Sequence, residues 1–169
     1  MNMNKAITTS IAIASMVCVS VGIVHADESA FLQPLAGSWS GKEVRINAPT
    51  INVTCSFRSD TTASSLALDG RCTSLVVFSR DISADLKATG DSYTGSYVGA
   101  GTGTARLGGK REGDAINLGI NWARNVNGDR RAQMTIEKVG ASGMRLTTID
   151  TDPTTGRSVV TSRIDLRRN

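Results

Sequence analysis

The chain has 169 residues, with 19 Lys and Arg against 15 Asp and Glu, one His, three Cys, three Pro, 17 Gly, two Trp, two Tyr and three Phe. That is the length of one domain, and the lone histidine, His25, falls inside a segment that reads as an export signal. The chain beyond it lacks imidazole, which excludes Ser–His and Cys–His catalysis, histidine-ligated zinc or iron and an imidazole pH switch. No catalytic residue, metal or cofactor is expected.

Residues 1–26 carry one cation, Lys5, then an apolar run from Ala6 to Val24, and Val24-His25-Ala26 fits a small-residue cleavage rule. Cleavage is expected after Ala26, leaving 27–169 as a single domain. Thr8, Thr9, Ser10, Ser15, Ser20 and Gly22 interrupt the run, which argues against a retained membrane anchor. Val17 before Cys18 argues against lipidation there. Residues 27–169 hold 18 basic and 15 acidic groups and two cysteines. A periplasmic or secreted location follows, and in that oxidising setting Cys55 and Cys72 are expected to form a disulfide.

A short helical turn is expected at 28–35, where only the first turn tolerates Pro34. Beyond it, turn signals such as Asn47-Ala48-Pro49, Gly90-Asp91, Asn127-Gly128-Asp129 and Asp152-Pro153 recur about every 8–14 residues, the mark of a β-meander. Between them, apolar residues alternate with polar ones. Ile51/Val53/Cys55/Phe57, Leu66/Leu68/Cys72, Ile82/Ala84/Leu86, Ala105/Leu107, Ile116/Leu118/Ile120/Trp122, Ala132/Met134/Ile136, Met144/Leu146 and Ser162/Ile164/Leu166 are the expected inward faces.

Strands are expected at 38–46, 51–58, 65–73, 80–88, 92–98, 102–108, 115–123, 130–138, 143–150 and 157–167. In the first, Trp39 is odd-numbered whereas Val44 and Ile46 are even, so a bulge at Ser40-Gly41 is expected to reconcile them. A hairpin centred between Ala63 and Ser64 would set Cys55 opposite Cys72, both on the apolar face. The stretch from Gly99 to Thr104 lacks the strand-to-helix context of a phosphate loop and reads as a glycine-rich corner.

Amphipathic strands in a meander must pair their edges. The expected fold is therefore all-β, a single antiparallel up-and-down barrel of about 8–10 strands, with a two-sheet sandwich as the alternative. A membrane barrel would share the alternation, but it needs strands of about 9–11 residues and two aromatic girdles. This chain has few aromatics and ends Arg167-Arg168-Asn169. It is not expected to be an integral membrane protein once the signal is removed.

The opening Phe31-Leu32-Gln33-Pro34-Leu35-Ala36-Gly37-Ser38-Trp39, followed by a meander, resembles the Gly-x-Trp entry of calycin barrels, the group of lipocalins, avidins and small bacterial metalloprotease inhibitors. The resemblance implies that Trp39 plugs one end of the barrel under a basic side chain of the last strand, for which Arg163 and Arg167 are the candidates. Tyr93-Thr94-Gly95-Ser96-Tyr97 through Leu107-Gly108-Gly109 to Asn121-Trp122 is similar to the middle strands of avidins, which would bring Tyr97 and Trp122 near a small heterocycle. No Trp follows Trp122, so avidin-like biotin binding is not implied. The inhibitor likeness implies that residues 27–34 could enter a protease cleft.

Other chemistry is thinly supported. Asp150 and Asp152 lie about 7 Å apart on an extended strand, a separation that suits an inverting glycosidase pair, but next to Pro153 they read as turn residues. After the signal, 14 Arg stand against four Lys. Arg163 and Arg167 beside Asp165, Arg130-Arg131 and Lys110-Arg111 form outward basic pairs that could meet anionic glycan or lipid. Nucleic acid is not an expected partner, because no aromatic residues interleave the basic ones.

The expected function is a non-enzymatic envelope barrel that binds a small apolar ligand or an envelope component. Phe57, Phe78, Tyr93, Tyr97 and Trp122 are its candidate contacts, in a lining expected to carry no charge. The alternative is a protein-partner or inhibitor module that acts through residues 27–34 and the loops.

Overall fold

The computed structural model describes residues 25–44, 53–74 and 78–169. A helix α1 (His25–Leu32) runs into a 3-10 turn (Gln33–Leu35), where Pro34 sits in the first positions that tolerate its missing N–H. Ten strands follow: β1 (Gly37–Val44), β2 (Val53–Thr62), β3 (Ser65–Ser74), β4 (Phe78–Thr89), β5 (Ser92–Val98), β6 (Ala105–Glu112), β7 (Ala115–Val126), β8 (Asp129–Val139), β9 (Gly143–Thr151) and β10 (Ser158–Arg168). Each pairs antiparallel with its sequence neighbours, and β1 pairs with β10, so the sheet closes into an up-and-down barrel rather than a sandwich. Closure leaves no exposed edge for another chain to pair with.

The period-two pattern fixes which way each residue faces. On β2 burial alternates strictly from Val53 to Asp60, and on β7 from Ile116 to Trp122. Among the described residues, the expected inward positions are buried except Ser162, which is half-buried. Only Val98 and Val139 are exposed large hydrophobics among those residues. Apolar side chains in and charged ones out is the inverse of a lipid-facing barrel. No described helix is long and apolar enough to cross a membrane.

The β2–β3 hairpin turns at Ala63-Ser64 and sets Cys55 directly opposite Cys72, where their sulfurs are bonded. A disulfide closing a loop of this size stabilises by about 3 kcal/mol in the chain-entropy account. Beside it, the ring of Phe57 occupies the space that a side chain on its partner Gly70 would need, with 2.2 Å separating a Cβ there from the ring. Glycine is what lets this large ring lie flat inside the wall.

The expected bulge in β1 does not form. Pairing from Trp39 to Val44 against β10, and from Gly37 to Glu43 against β2, runs without a shift of register. Trp39 and Gly41 lie on the inward row, and glycine is accommodated there because a Cβ would lie 1.8 Å from the Asp165 carbonyl oxygen. The Val44 side chain, Ile46 and Ile51 lie outside the described residues. Register shifts occur instead on β10 between Val160 and Ser162 and on β7 between Asn121 and Val126.

Candidate functional site

The two ends of the barrel differ. One end carries the β2–β3, β4–β5, β6–β7 and β8–β9 turns, and α1 with its 3-10 turn seals it. Glu28, Phe31, Leu32 and Leu35 follow the i, i+3, i+4, i+7 spacing of a single helical face, and all four are buried. Glu28 is the polar member of that face, and it is satisfied. The Tyr93 hydroxyl donates to its Oε1, and Arg111 Nε donates to Oε2 at 2.9 Å. Burial, and then the bond to Glu28, pushes the Tyr93 phenol well above its ordinary range, so it remains a donor. Phe31 lies between the cations of Arg111 and Lys138, at 5.0 and 5.6 Å from its ring centre.

Trp39 completes this seal. Its Nε1 donates to the Leu35 carbonyl at 3.1 Å, and the guanidinium of Arg168 stacks over its ring at 4.5 Å. Arg168 also donates to the Pro34 and Ala36 carbonyls. The cation over Trp39 is thus Arg168, not Arg163 or Arg167. Parity is the reason: Ile164 and Leu166 face inward on β10, so Arg168 continues their row beneath Trp39, while Arg163 and Arg167 point out to solvent. Of the N-terminal segment, Glu28, Phe31, Leu32 and Leu35 pack into the barrel, while Ala30, Gln33 and Pro34 stay exposed.

The opposite end, among the described residues, bears a cleft. There the inward rows of β4, β5, β7, β9 and β10 enclose a cleft of about 400 Å³. Ile82, Tyr97, Trp122, Val126 and Val159 form its apolar wall, and Arg80, Asn127, Thr148, Asp150, Asp152, Thr161 and Ser162 contribute polar groups. Tyr97 and Trp122 pack with ring centres 5.9 Å apart and tilted by 56°. The Tyr97 hydroxyl lies over Gly99, where a Cβ would sit only 2.2 Å from it, so the corner after β5 must start with glycine.

Two features stand out in this cleft. The indole Nε1 of Trp122 is buried and has no hydrogen-bond partner among the described residues, a state that costs free energy unless an acceptor arrives. Asp150 is also buried. Its Oδ2 accepts from Asn127 Nδ2 at 2.9 Å and its Oδ1 from the Thr151 backbone N–H at 2.8 Å. Asp152 has a different role. Its Oδ1 accepts the backbone N–H groups of Thr154 and Thr155 at 2.8 and 2.9 Å, which ties the β9–β10 turn. These bonds, from Thr155 and then Thr154, hold its carboxyl below the usual range. Turn chemistry, the ordinary role of Asp beside Pro153, accounts for it.

Of the expected contacts, then, Tyr97 and Trp122 meet at the cleft. Tyr93 belongs to the sealed end, and Phe57 is buried beside Trp39 and Gly70. The Phe78 side chain lies outside the described residues. The expectation of a lining without charge is overturned by Arg80, Asp150 and Asp152. Parity could have found two of these: Arg80 shares the inward row of Ile82, and Asp150 that of Leu146 and Thr148. Glu28 was missed as well, though it shares one helical face with Phe31 and Leu32.

Fold and cleft together define a closed ten-stranded barrel with α1 sealing one end and a cleft at the other. No known protein family and no curated protein matches the sequence. Among solved structures the chain is similar to Rv2717c from M. tuberculosis, with a TM-score of 0.63 and 12% identity over 82% of this chain and 97% of that one. It is also similar to EF1p2_mFAP2b bound to DFHBI, with a TM-score of 0.48 and 10% identity over 84% of this chain and 98% of that one. The first likeness shows a shared barrel fold.

Proposed function

We propose that this protein is a non-enzymatic binding barrel of the bacterial cell envelope that takes a small, mainly apolar ligand into the cleft at the end opposite α1. The observation that carries the reading is the cleft of about 400 Å³ whose apolar wall presents a buried indole N–H without an acceptor among the described residues. Small-molecule sites are mostly apolar clefts of this size with a few placed polar groups. A ligand ring would lie along Tyr97 and Trp122, and an acceptor on it would take the Trp122 N–H. Asp150 and Arg80 add a polar handle at the rim. Export is supported by the cleavable segment read at 1–26 and by the bonded Cys55–Cys72 pair. The sealed end, with Trp39 under a cation of the last strand, supports a calycin-type closure.

The test is mass spectrometry of an organic extract of the natively purified protein, with titration of an anilinonaphthalene dye as an apolar probe. A stoichiometric small molecule, or saturable dye uptake that Trp122→Phe weakens roughly tenfold through loss of one hydrogen bond, is the expected result. An empty extract together with no dye uptake overturns the reading.

A further inference from the structure

The outer wall of the barrel carries many ion pairs, and strand register explains them. Arg71 on β3 faces Asp81 on β4 and bonds it at 2.6 Å. Arg145 on β9 lies between Asp165 on β10, at 2.6 Å, and Glu137 on β8, at 3.4 Å. Arg58 bonds Asp60 at 3.3 Å along its own strand.

One row departs from this pattern. Ser96 on β5, Arg106 on β6, Asn121 on β7 and Arg131 on β8 are consecutive cross-strand partners. They face outward because Tyr97, Ala105, Ile120 and Ala132, their chain neighbours, face in. Adjacent strands lie about 4.8 Å apart, so the backbones of Arg106 and Arg131 are about 10 Å apart with Asn121 between them. Among the described residues, no carboxylate pairs with the guanidinium of either arginine. Arg130 and Asp129 line the same groove. Arg130 Nε is committed to the Trp122 carbonyl at 2.8 Å, and Asp129 Oδ1 accepts the Arg131 backbone N–H at 2.7 Å.

We propose that Arg106, Asn121 and Arg131 form a binding site for a phosphate group. The side chains of the two arginines are long enough to converge above the Asn121 amide from either side. Two guanidinium forks and an amide offer more donors than the two oxygens of a carboxylate can use, whereas the oxygens of a phosphate can accept from both forks. The intervening Asn121 keeps the two cations from facing each other directly across adjacent strands, an arrangement that destabilises a sheet. The anion would sit on the outer wall, across β7 from the cleft, so each site can fail without the other.

The experiment uses the processed, disulfide-bonded protein and two probes at about 0.15 M salt: inorganic phosphate, and phosphatidylcholine vesicles with and without phosphatidylglycerol. Phosphate binding is read by calorimetry and vesicle binding by co-sedimentation. Arg106→Gln with Arg131→Gln is expected to weaken whichever probe binds by roughly tenfold or more, since charge-assisted bonds are the strong ones. Arg58→Gln is expected to leave binding unchanged. Binding of inorganic phosphate assigns the site to soluble phosphates, and binding only to phosphatidylglycerol vesicles assigns it to a lipid headgroup. Near-UV circular dichroism confirms the fold, and the two single substitutions serve if the double variant does not fold. If neither probe binds, or the variants bind as the wild type does, the proposal is overturned.

Discussion

The end sealed by α1 and the end that holds the cleft place the same kinds of residue under opposite conditions. Trp39 at the sealed end has its indole N–H on a backbone carbonyl and its ring under Arg168, while Trp122 at the cleft is as buried but has no partner for its N–H among the described residues. Likewise the buried carboxylate of Glu28 joins a phenol and a guanidinium that anchor α1 to β5 and β6, whereas Asp150 is held by Asn127 and its own neighbour's N–H at the wall of a cleft. The difference teaches where the fold is secured and where it has room for a guest. Pairing is not complete even at the sealed end, where the buried Ser59 hydroxyl has no partner among the described residues.

The comparison breaks most readily at Glu28. Glu28→Ala strips the Tyr93 hydroxyl and Arg111 of their shared acceptor in a poorly solvated place, with an expected loss of about 3 kcal/mol. Urea unfolding measures it, and a loss below about 1 kcal/mol would mean that the plug is not secured as described.

A matched pair of substitutions sharpens the contrast. Trp39→Phe removes one hydrogen bond and weakens a cation–π contact, an expected cost of about 1–2 kcal/mol. Trp122→Phe removes an N–H that gains nothing in the free protein, so its cost is expected to be about half that or less. Equal losses would erase the distinction between the two ends.

The smallest expected effect is in pH dependence, where the two ends should respond to opposite extremes. The Asp152 carboxyl is lowered by the Thr155 and Thr154 N–H groups, so its contribution is present above the unfolded value of about 3.9 and is lost as pH falls through the lowered one. The protection of the Thr154 and Thr155 amides relative to their intrinsic exchange rates should therefore fall below about pH 4, and Asp152→Asn should flatten that response. The Tyr93 phenol is raised, so its contribution is present below the ordinary tyrosine value of about 10 and is lost as pH rises above it. The sealed end is thus the one expected to loosen in alkali.

Much of the fold was legible in the sequence because one rule governs it. Alternation assigned Val53, Cys55 and Phe57 to the interior, the Ala63-Ser64 turn then set Cys55 against Cys72, and about ten strands with turns between them pointed to a barrel, with a two-sheet sandwich as the alternative. The same rule misled where it was relaxed or stopped early. At β1 a bulge was invoked to rescue Val44, although Trp39 and Gly41 already kept parity. At the mouth, the rows containing Ile82 and Leu146 were not followed on to Arg80 and Asp150.

By itself the sequence determined the wall: which residues face inward, where the chain turns and which two thiols meet. These depend on neighbours one strand away, and a period of two carries that information along the chain. Tertiary structure alone decided how the ends differ. That Glu28 meets Tyr93 and Arg111, that Arg168 rather than Arg163 or Arg167 covers Trp39, and that Trp122 faces a cleft are contacts between segments 65 to 130 residues apart or across the lumen. They arise only when barrel closure brings the rows together, and no local periodicity encodes them.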